Sequence, residues 1–279
     1  MPIMIEVKNI CFKYAGSKHL VFDDFSLRLE EDRIYGLLGK NGTGKSTLLY
    51  LLSGLLRPSL GTVCCDSVAT YKRLPETLCD IFLVTEEFEM PAICLSEYVK
   101  LYKPFYPNFS DEILQGCLTD FELPADVHLG KLSMGQRKKA YIAFAMATNT
   151  KYLLMDEPTN GLDIPSKSQF RKVIAQHMTE ERTVMISTHQ VHDVEQMLDH
   201  ILILDQHSVL LNASMQEIQD QYTFEYRTPQ QMDDSVLYAE PTLQGNAVIC
   251  HRQEGDAETQ VNLELLFNYK TTAKTGPVS

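Results

Sequence analysis

Short apolar runs alternate with segments of helical periodicity through most of the chain. Runs of three to five such residues are typical of strands buried on both faces, and they occupy residues 34–38, 81–84, 153–155, 184–186 and 201–204. Strand-like residues also open the chain, at 3–7, 11–14 and 25–29. Helical periodicity lies between several of these runs, for example at residues 165–178. This alternation predicts an α/β fold with a mainly parallel sheet and helices on both faces.

A helical block at about residues 88–150 interrupts the alternation. Ser110 is a good N-cap, and an apolar helix face follows it at Ile113, Leu114, Cys117, Leu118 and Phe121. A second helix is predicted to begin at Ser133, and a further one at about residues 191–198. We expect the block at 88–150 to form a separate helical subdomain.

Towards the C-terminus the helical period is lost, while proline, glutamine and charged residues increase. We predict a hairpin between residues 236–239 and 247–250, and a final short helix at residues 262–269. The predicted organisation is one domain at residues 1–220, followed by a tail or small accessory hairpin at residues 221–279. The sequence assigns no function to this second part.

Composition narrows the class of protein. The chain has 279 residues, of which 44% are hydrophobic, so it can bury a full core. Its formal net charge of -12 disfavours a broad nucleic-acid surface, which needs Lys and Arg to neutralise phosphates. A basic cluster at Arg137, Lys138 and Lys139 leaves a local patch open, but we interpret it as the solvated face of a helix. We expect no nucleic-acid partner.

No targeting or membrane-spanning segment is recognisable in the sequence. The N-terminus carries charges within its first ten residues and lacks the layout of a signal peptide. No apolar run approaches the roughly 18–20 residues of a membrane helix. The seven cysteines include no C-x-x-C spacing, which disfavours zinc and a disulfide framework. These features predict a cytoplasmic protein with reduced thiols.

A glycine-rich loop lies between an apolar strand and an apolar helix, and its sequence is Gly39-Lys40-Asn41-Gly42-Thr43-Gly44-Lys45-Ser46. Backbone N–H groups of such a loop bind phosphate, Lys45 reaches the β- and γ-phosphates, and the Ser46 hydroxyl ligates Mg²⁺. The alternative, a turn that binds nothing, is disfavoured because every fixed position of the motif is filled. The predicted nucleotide-binding residues are Gly39, Asn41, Gly42, Gly44, Lys45, Ser46 and Thr47.

Two acidic residues, Asp156 and Glu157, follow the apolar run at residues 153–155. In a parallel sheet, the carboxyl end of this strand lies beside the phosphate loop. Asp156 is predicted to hold Mg²⁺, through a water molecule, and Glu157 to orient the attacking water or to accept its proton. The competing interpretation, two acids that cap a strand end, is weak alongside the phosphate loop.

A second potential anion site lies at a helix start, in Leu132-Ser133-Met134-Gly135-Gln136. Together with the two motifs above, it resembles the ATP-binding subunits of ATP-binding-cassette (ABC) transporters. The resemblance covers about residues 3–215. It extends to Thr159-Asn160-Gly161-Leu162-Asp163, similar to the family's D-loop, to Ser187-Thr188-His189, similar to its switch histidine, and to Tyr14, similar to the aromatic residue that stacks on adenine. It implies a P-loop NTPase core, an N-terminal antiparallel β-subdomain and an inserted helical signature subdomain.

The resemblance also implies how the site is assembled. Two such domains, in a homodimer or a heterodimer, pack head to tail around two ATP molecules. One domain holds each ATP through Lys45, Ser46, Asp156 and Glu157, and the other covers it with Ser133, Gly135 and Gln136. Asp163 links the two sites. The predicted catalytic residues are Glu157, Lys45 and His189, which contacts the γ-phosphate.

Two positions depart from the family's pattern. Glu86 occupies a position where glutamine is usual, and as a carboxylate it remains a predicted Mg²⁺ ligand. The next residue, Glu87, is also a glutamate and is the alternative for this position. Met134 stands where glycine is usual, but Ser133 and Gly135 flank it, so we expect contact with the γ-phosphate to survive.

The leading hypothesis is an ATPase subunit that drives a separately encoded membrane permease, of exporter type, from the inner face of the cell membrane. Four aromatic residues within 102–109 form the predicted docking segment, for which a simple packing turn is the alternative. One alternative function is a soluble ABC protein acting on ribosomes or DNA, which the single cassette and the acidic charge disfavour. Another is an ATP-gated clamp with little turnover, which the presence of Glu157 and His189 disfavours.

Overall fold

The computed structural model describes residues 3–179, 181–205 and 207–272, and within these ranges the chain forms three β-sheets. The strands are β1 Ile3–Phe12, β2 Phe22–Glu30, β3 Ile34–Leu38, β4 Leu60–Cys65, β5 Val68–Ala69, β6 Ile81–Val84, β7 Tyr152–Asp156, β8 Thr183–Thr188, β9 His200–Asp205, β10 Ser208–Ser214, β11 Tyr222–Arg227, β12 Val236–Thr242 and β13 Gly245–His251. The α-helices are α1 Lys45–Leu52, α2 Pro75–Leu78, α3 Leu95–Tyr102, α4 Asp111–Asp120, α5 Met134–Ala147, α6 Ile164–His177, α7 Met215–Gln221 and α8 Leu263–Thr272.

The central sheet has six strands in the order β10-β9-β3-β8-β7-β6. Five of them run parallel, and β10 is added antiparallel to β9 at one edge. Every residue of β3, β7 and β8 is buried, as the apolar runs predicted. The carboxyl ends of β3 and β7 lie on the same edge of the sheet, with β8 between them. The segments that follow these strands are thereby brought together.

Adjacent residues of the central strands enter two different hydrophobic cores, one on each face of the sheet. In β3, Leu38 belongs to the core that contains α4, α5 and α6, whereas Leu37 belongs to the core that contains α1. Leu153 and Leu154 of β7 alternate in the same way. Gly36 fits tightly into this pattern, because a Cβ there would lie 2.5 Å from a Leu198 methyl carbon. Helices therefore cover both faces, as predicted.

The N-terminal sheet is antiparallel, with four strands in the order β2-β1-β4-β5. Its buried residues, among them Ile5, Leu27 and Val63, share a core with Leu48 of α1. This arrangement confirms the antiparallel β-subdomain implied by the resemblance. The two strands predicted at residues 3–7 and 11–14 are one strand, β1, in which the pairing with β2 shifts register after Val7 and again after Ile10.

The helical region after β6 is built around α5. Ser110 caps α4 as predicted, accepting a hydrogen bond of 3.1 Å from the Ile113 N–H. The ring of Phe144, in the last turn of α5, contacts Tyr98 of α3 at a centroid distance of 4.9 Å and Phe109 at 5.5 Å. None of the helices in the described ranges is both long and apolar enough to span a bilayer.

The aromatic segment at residues 102–109 contains both packed and exposed side chains. Tyr106 and Phe109 pack against the core of the helical region. Phe105 is 67% exposed, and it lies near Leu101, which is 61% exposed. The segment is therefore partly a packing turn, but it also presents apolar side chains to solvent.

The C-terminal sheet has the order β11-β13-β12, and it is covered by α8. The hairpin expected between residues 236–239 and 247–250 is present as β12 and β13. Strand β11 was not predicted from the sequence, because it follows α7 without a break. A single helix was predicted at about 191–198, but the chain forms two short 3₁₀ turns there, Val191–Asp193 and Glu195–Met197.

Candidate functional site

The phosphate loop connects the buried end of β3 to the first residue of α1. Gly42 and Gly44 both have positive φ angles, of 83° and 98°. A Cβ on Gly44 would lie 2.9 Å from side-chain carbons of Val21 and Phe22. Glycine is therefore required at position 44 by both conformation and space. The loop can close tightly around an anion because it carries no side chain at these points.

Lys45 is buried at the centre of this loop. Its Nζ donates hydrogen bonds to the backbone oxygens of Gly39 at 2.7 Å and Lys40 at 3.3 Å. Burial lowers the pKa of the Lys45 ammonium, while Glu157, Asp156 and Glu86 act in the opposite direction. The ammonium group is thus preorganised, and a phosphate oxygen would offer it a stronger, charged acceptor.

Asp156 and Glu157 are both nearly buried at the carboxyl end of β7. The Ser187 hydroxyl of β8 donates a hydrogen bond to Asp156 Oδ1. The same hydroxyl accepts a hydrogen bond of 3.2 Å from the Glu157 N–H. Ser187 therefore fixes both acids at once, because β8 lies between β7 and the phosphate loop.

His189 lies one residue beyond β8 and contacts Glu157. The distance from His189 Nδ1 to Glu157 Oε1 is 2.8 Å. His189 is accessible to solvent, whereas Glu157 is only 6% exposed. A carboxylate held by a histidine at the edge of a phosphate loop is an arrangement that can orient a water molecule for attack on a phosphoryl group.

A cavity of about 370 Å³ lies in front of the loop. The predicted site residues that line it are Tyr14, Asn41, Gly42, Gly44, Lys45, Ser46, Thr47, Glu86 and Glu157, and Val21 joins them. Tyr14 is 42% exposed, and its hydroxyl lies 3.0 Å from Thr47 Oγ1. The tyrosine ring thus stands at the rim of the cavity, where a planar group could pack against it. Glu86 lines the cavity but Glu87 does not, which favours Glu86 as the residue at the glutamine position.

The other predicted residues lie outside this cavity. Ser133 caps α5 and accepts a hydrogen bond of 3.3 Å from the Gln136 N–H, while Gln136 Oε1 accepts one of 3.1 Å from the Ser133 N–H. Asp163 caps α6, and hydrogen bonds from Ser166 hold the pKa of its carboxyl group below the ordinary value. Neither these residues nor Gly135 line the cavity. The chain by itself does not bring them together with Lys45.

Three residues support the site through contacts that the sequence did not predict: Ser187, Asn160 and Lys138. Asn160 Nδ2 donates a hydrogen bond of 2.8 Å to Glu86 Oε1. Lys138 is 5% exposed, so the interpretation of the basic cluster as a solvated helix face was wrong. The sequence did hold a signal, because Lys138 shares a helix face with the apolar residues Ile142 and Ala145.

Known proteins match the part of the chain that contains the phosphate loop and the two acids. A family model described as ABC transporter matches residues 22–160. The ABC transporter ATP-binding protein YtrB of Bacillus subtilis (strain 168) is 26% identical, over 78% of this chain and 75% of the relative. The Nod factor export ATP-binding protein I of Cupriavidus metallidurans is 26% identical, over 74% of this chain and 69% of the relative.

The fold is also that of a known structure. A solved structure described as the ATP binding subunit of an ABC transporter matches with a TM-score of 0.68 at 21% identity. The match covers 77% of this chain and 92% of that chain. The segment matched by the family model holds the phosphate loop, the Ser133 segment and both acids. The chain therefore belongs to the ABC transporter family, as an ATP-binding subunit that hydrolyses ATP.

Proposed function

We propose that this subunit drives a separately encoded, exporter-type membrane permease by closing around ATP with a second subunit and reopening after hydrolysis. The observation that carries the proposal is the contact of 2.8 Å between His189 and Glu157 at the edge of the phosphate loop. Turnover needs a positioned nucleophile, and this pair supplies the group that would position it.

Glu157 acts on the attacking water in this proposal, and His189 orients its carboxylate and contacts the γ-phosphate. Lys45 offsets the negative charge of the β- and γ-phosphates from within the loop. Backbone N–H groups of the loop and the N-terminus of α1 add to that stabilisation. Tyr14 packs against the adenine at the rim of the cavity.

Mg²⁺ fits the donors present in the site. The Ser46 hydroxyl and the carboxylates of Asp156 and Glu86 are hard oxygen ligands of the kind that Mg²⁺ prefers. Within the described ranges, no three His, Cys, Asp or Glu side chains come close enough to hold a metal by themselves. This agrees with a nucleotide-bound Mg²⁺, which takes only one or two protein carboxylates and completes its shell with phosphate oxygens and water. The ion would supply charge stabilisation.

The second subunit, identical or similar to this one, covers the ATP with its own Ser133, Gly135 and Gln136. Support comes from the position of these residues outside the cavity that Lys45 lines, together with the free approach to that cavity from solvent. A Cβ at Gly135 would meet no neighbouring atom within 4 Å, so the backbone there is open to a ligand. Asp163, at the start of α6, connects the two sites across the dimer.

The permease would bind the exposed apolar residues of the helical region, among them Leu101 in the last turn of α3 and Phe105 just after this helix. In this proposal the subunit works at the inner face of the cell membrane. One relative is named a Nod factor export ATP-binding protein, in line with the proposed export direction, and another is named a zinc uptake system ATP-binding protein. The transported substrate would be selected by the permease.

Replacement of Glu157 by Gln tests the proposal. The amide keeps the shape of the side chain but cannot accept a proton, so the variant should bind ATP normally and hydrolyse it at least about a hundredfold more slowly. It should also accumulate as a dimer with ATP, because the closed dimer reopens only after ATP has been hydrolysed. Nucleotide titration, phosphate release and light scattering measure these three effects. Normal turnover by this variant would remove Glu157 from its proposed role.

A further inference from the structure

We propose that Lys138 is a positioning residue for ATP hydrolysis, which holds the backbone of Glu157 so that its carboxylate meets the attacking water. The inference deepens the proposed function and rests on the role given there to Glu157. It concerns a residue of α5, which is not part of the cavity lining.

Lys138 connects α5 to the segment that follows β7. Its Nζ donates hydrogen bonds of 2.9 Å to the backbone oxygen of Glu157 and of 2.9 Å to that of Asn160. A backbone hydrogen bond of 3.1 Å from the Asn160 N–H to the Glu157 oxygen closes the same turn. The lysine therefore ties together both ends of the turn that begins at the catalytic glutamate.

Glu157 needs such support because its backbone is in an unfavourable conformation. Its φ angle is 45°, in the left-handed region that residues with a side chain rarely adopt. On one side of Glu157, its N–H donates to the backbone oxygen of Ser187 at 3.1 Å. On the other side, its carbonyl oxygen accepts from Lys138. The peptide groups on both sides of the Glu157 Cα are thus held, and together they restrict the direction in which the carboxylate leaves the backbone.

A buried ammonium group is a costly way to hold two neutral carbonyls. Within the described residues, the hydrogen-bond partners of the Lys138 ammonium group are the carbonyl oxygens of Glu157 and Asn160. Burial lowers the pKa of its ammonium group, whereas Glu86, Glu157 and Asp156 act in the opposite direction. A neutral donor would satisfy the carbonyls with less desolvation. The positive charge is therefore useful for a second reason, since it offsets the negative charge of the three carboxylates that act on it, those of Glu86, Glu157 and Asp156.

The first test compares Lys138→Met and Lys138→Gln with the wild-type protein. Methionine has a similar length but no donor, so kcat for ATP hydrolysis should fall about tenfold or more, because small misplacement of a catalytic group is expensive. The KM and the Kd for ATP should stay within about twofold, because Lys45 and the loop are untouched. Glutamine keeps two N–H donors and should give an intermediate kcat. Lys172→Met, which removes an exposed ion pair to Asp120, is the matched control and should be unchanged.

A wild-type kcat in Lys138→Met, or a loss of ATP affinity that accounts for the whole effect, would overturn the inference. If Lys138→Met does not fold, Lys138→Gln decides the question. A reduced kcat at unchanged Kd then supports the positioning role, and a wild-type kcat refutes it.

A double-mutant comparison separates this inference from the proposed function. If Lys138 acts through Glu157, then Lys138→Met should cause little further loss in a Glu157→Gln background. If the fold-loss of kcat in the double variant equals the product of the two single losses, Lys138 acts independently of Glu157 and only supports the fold. If Glu157→Gln alone leaves turnover intact, then the proposed role of Glu157 fails, whatever Lys138→Met does.

Discussion

Several charged side chains of the site are held by neutral partners. Lys45 donates to carbonyl oxygens, Asp156 accepts from the Ser187 hydroxyl, and Lys138 donates to carbonyl oxygens. Neutral partners orient a charge without neutralising it. The charge of each group is therefore not offset by these partners and can act on a bound nucleotide or on neighbouring charged groups.

Lys45→Ala is expected to weaken ATP binding. A charge-assisted hydrogen bond contributes about 2 kcal/mol, which corresponds to roughly a thirtyfold increase in Kd. Lys40→Ala is the matched control, because the Lys40 side chain is exposed on the same loop and should change Kd less than about twofold. Titration with a fluorescent ATP analogue measures both. Equal affinity of Lys45→Ala and the wild type would show that the loop is not the phosphate site.

At this scale the sequence predicted the residues whose chemistry is local, but not the supporting contacts that form across the fold. Gly42, Gly44 and Lys45 lie within one short motif, so their spacing is readable. Ser187 and Asn160 are partners of Asp156 and Glu86, from which they are separated by 31 and 74 residues. Such partnerships depend on which strands are neighbours in the sheet, and a single sequence does not give that order.

At the scale of elements, α5 is fixed at both ends by side chains. Ser133 and Gln136 form a reciprocal cap at its start. At its end, the buried guanidinium of Arg182 donates hydrogen bonds of 3.0 Å to the backbone oxygens of Met146 and Thr150. Burial lowers the pKa of Arg182 to about 10, so it remains charged at neutral pH and complements the negative end of the helix dipole.

Arg182→Met should destabilise the protein by about 2–4 kcal/mol, because it leaves buried carbonyl oxygens without donors. For a chain of this size the melting temperature should fall by roughly 5–15 °C. Arg28→Met is the control, since the Arg28 side chain is 65% exposed in its ion pair with Glu6. Its effect should stay within about 0.5 kcal/mol. Similar losses in both variants, measured by thermal unfolding, would contradict the capping role of Arg182.

Elements with strong boundary signals were predictable. The caps Ser110 and Ser133 and the apolar central strands were placed correctly, because capping and burial leave local patterns. The segment after His189 was predicted as one helix from its composition, but its packing against α8 and α6 leaves only two short turns. Tertiary contacts override a weak helical preference in a segment this short.

At the scale of the whole molecule, the C-terminal sheet and α8 are attached close to the catalytic edge. His192, three residues after His189, lies with Nε2 at 2.7 Å from Glu264 Oε2 of α8 and with Nδ1 at 3.5 Å from Glu195 Oε1. Phe267 of α8 helps to line a small cavity of about 160 Å³ with Gly39 and His189. Residues on the two sides of the proposed domain boundary at residue 220 are therefore in contact. The boundary itself stays a prediction.

The contact at His192 should make this attachment dependent on pH. Hydrogen bonds to Glu264 and Glu195 raise the pKa of His192. Its contribution to stability is therefore complete below the unfolded value of about 6.5 and is lost as pH rises through the higher folded value. The groups are largely exposed, so the effect should be small and weakened by salt.

Hydrogen exchange of the α8 amides at pH 6 and pH 8 measures this dependence. Protection in the wild type should be greater at pH 6, and His192→Gln should remove most of the difference. The comparison with the variant is needed because His200, whose pKa is lowered by burial, changes stability in the opposite sense. The same pH dependence in both proteins would exclude His192 as its source.

The alternation of β3 between two cores has a consequence for how the gene can change. Leu37 and Leu38 face opposite sides of the sheet, and the phosphate loop begins at the next residue. Substitutions in β3 alter one core at a time. Deletion of one codon would exchange the two sides and rotate the loop by half a turn of the strand. In this part of the chain, length is therefore more strictly constrained than the choice of side chains.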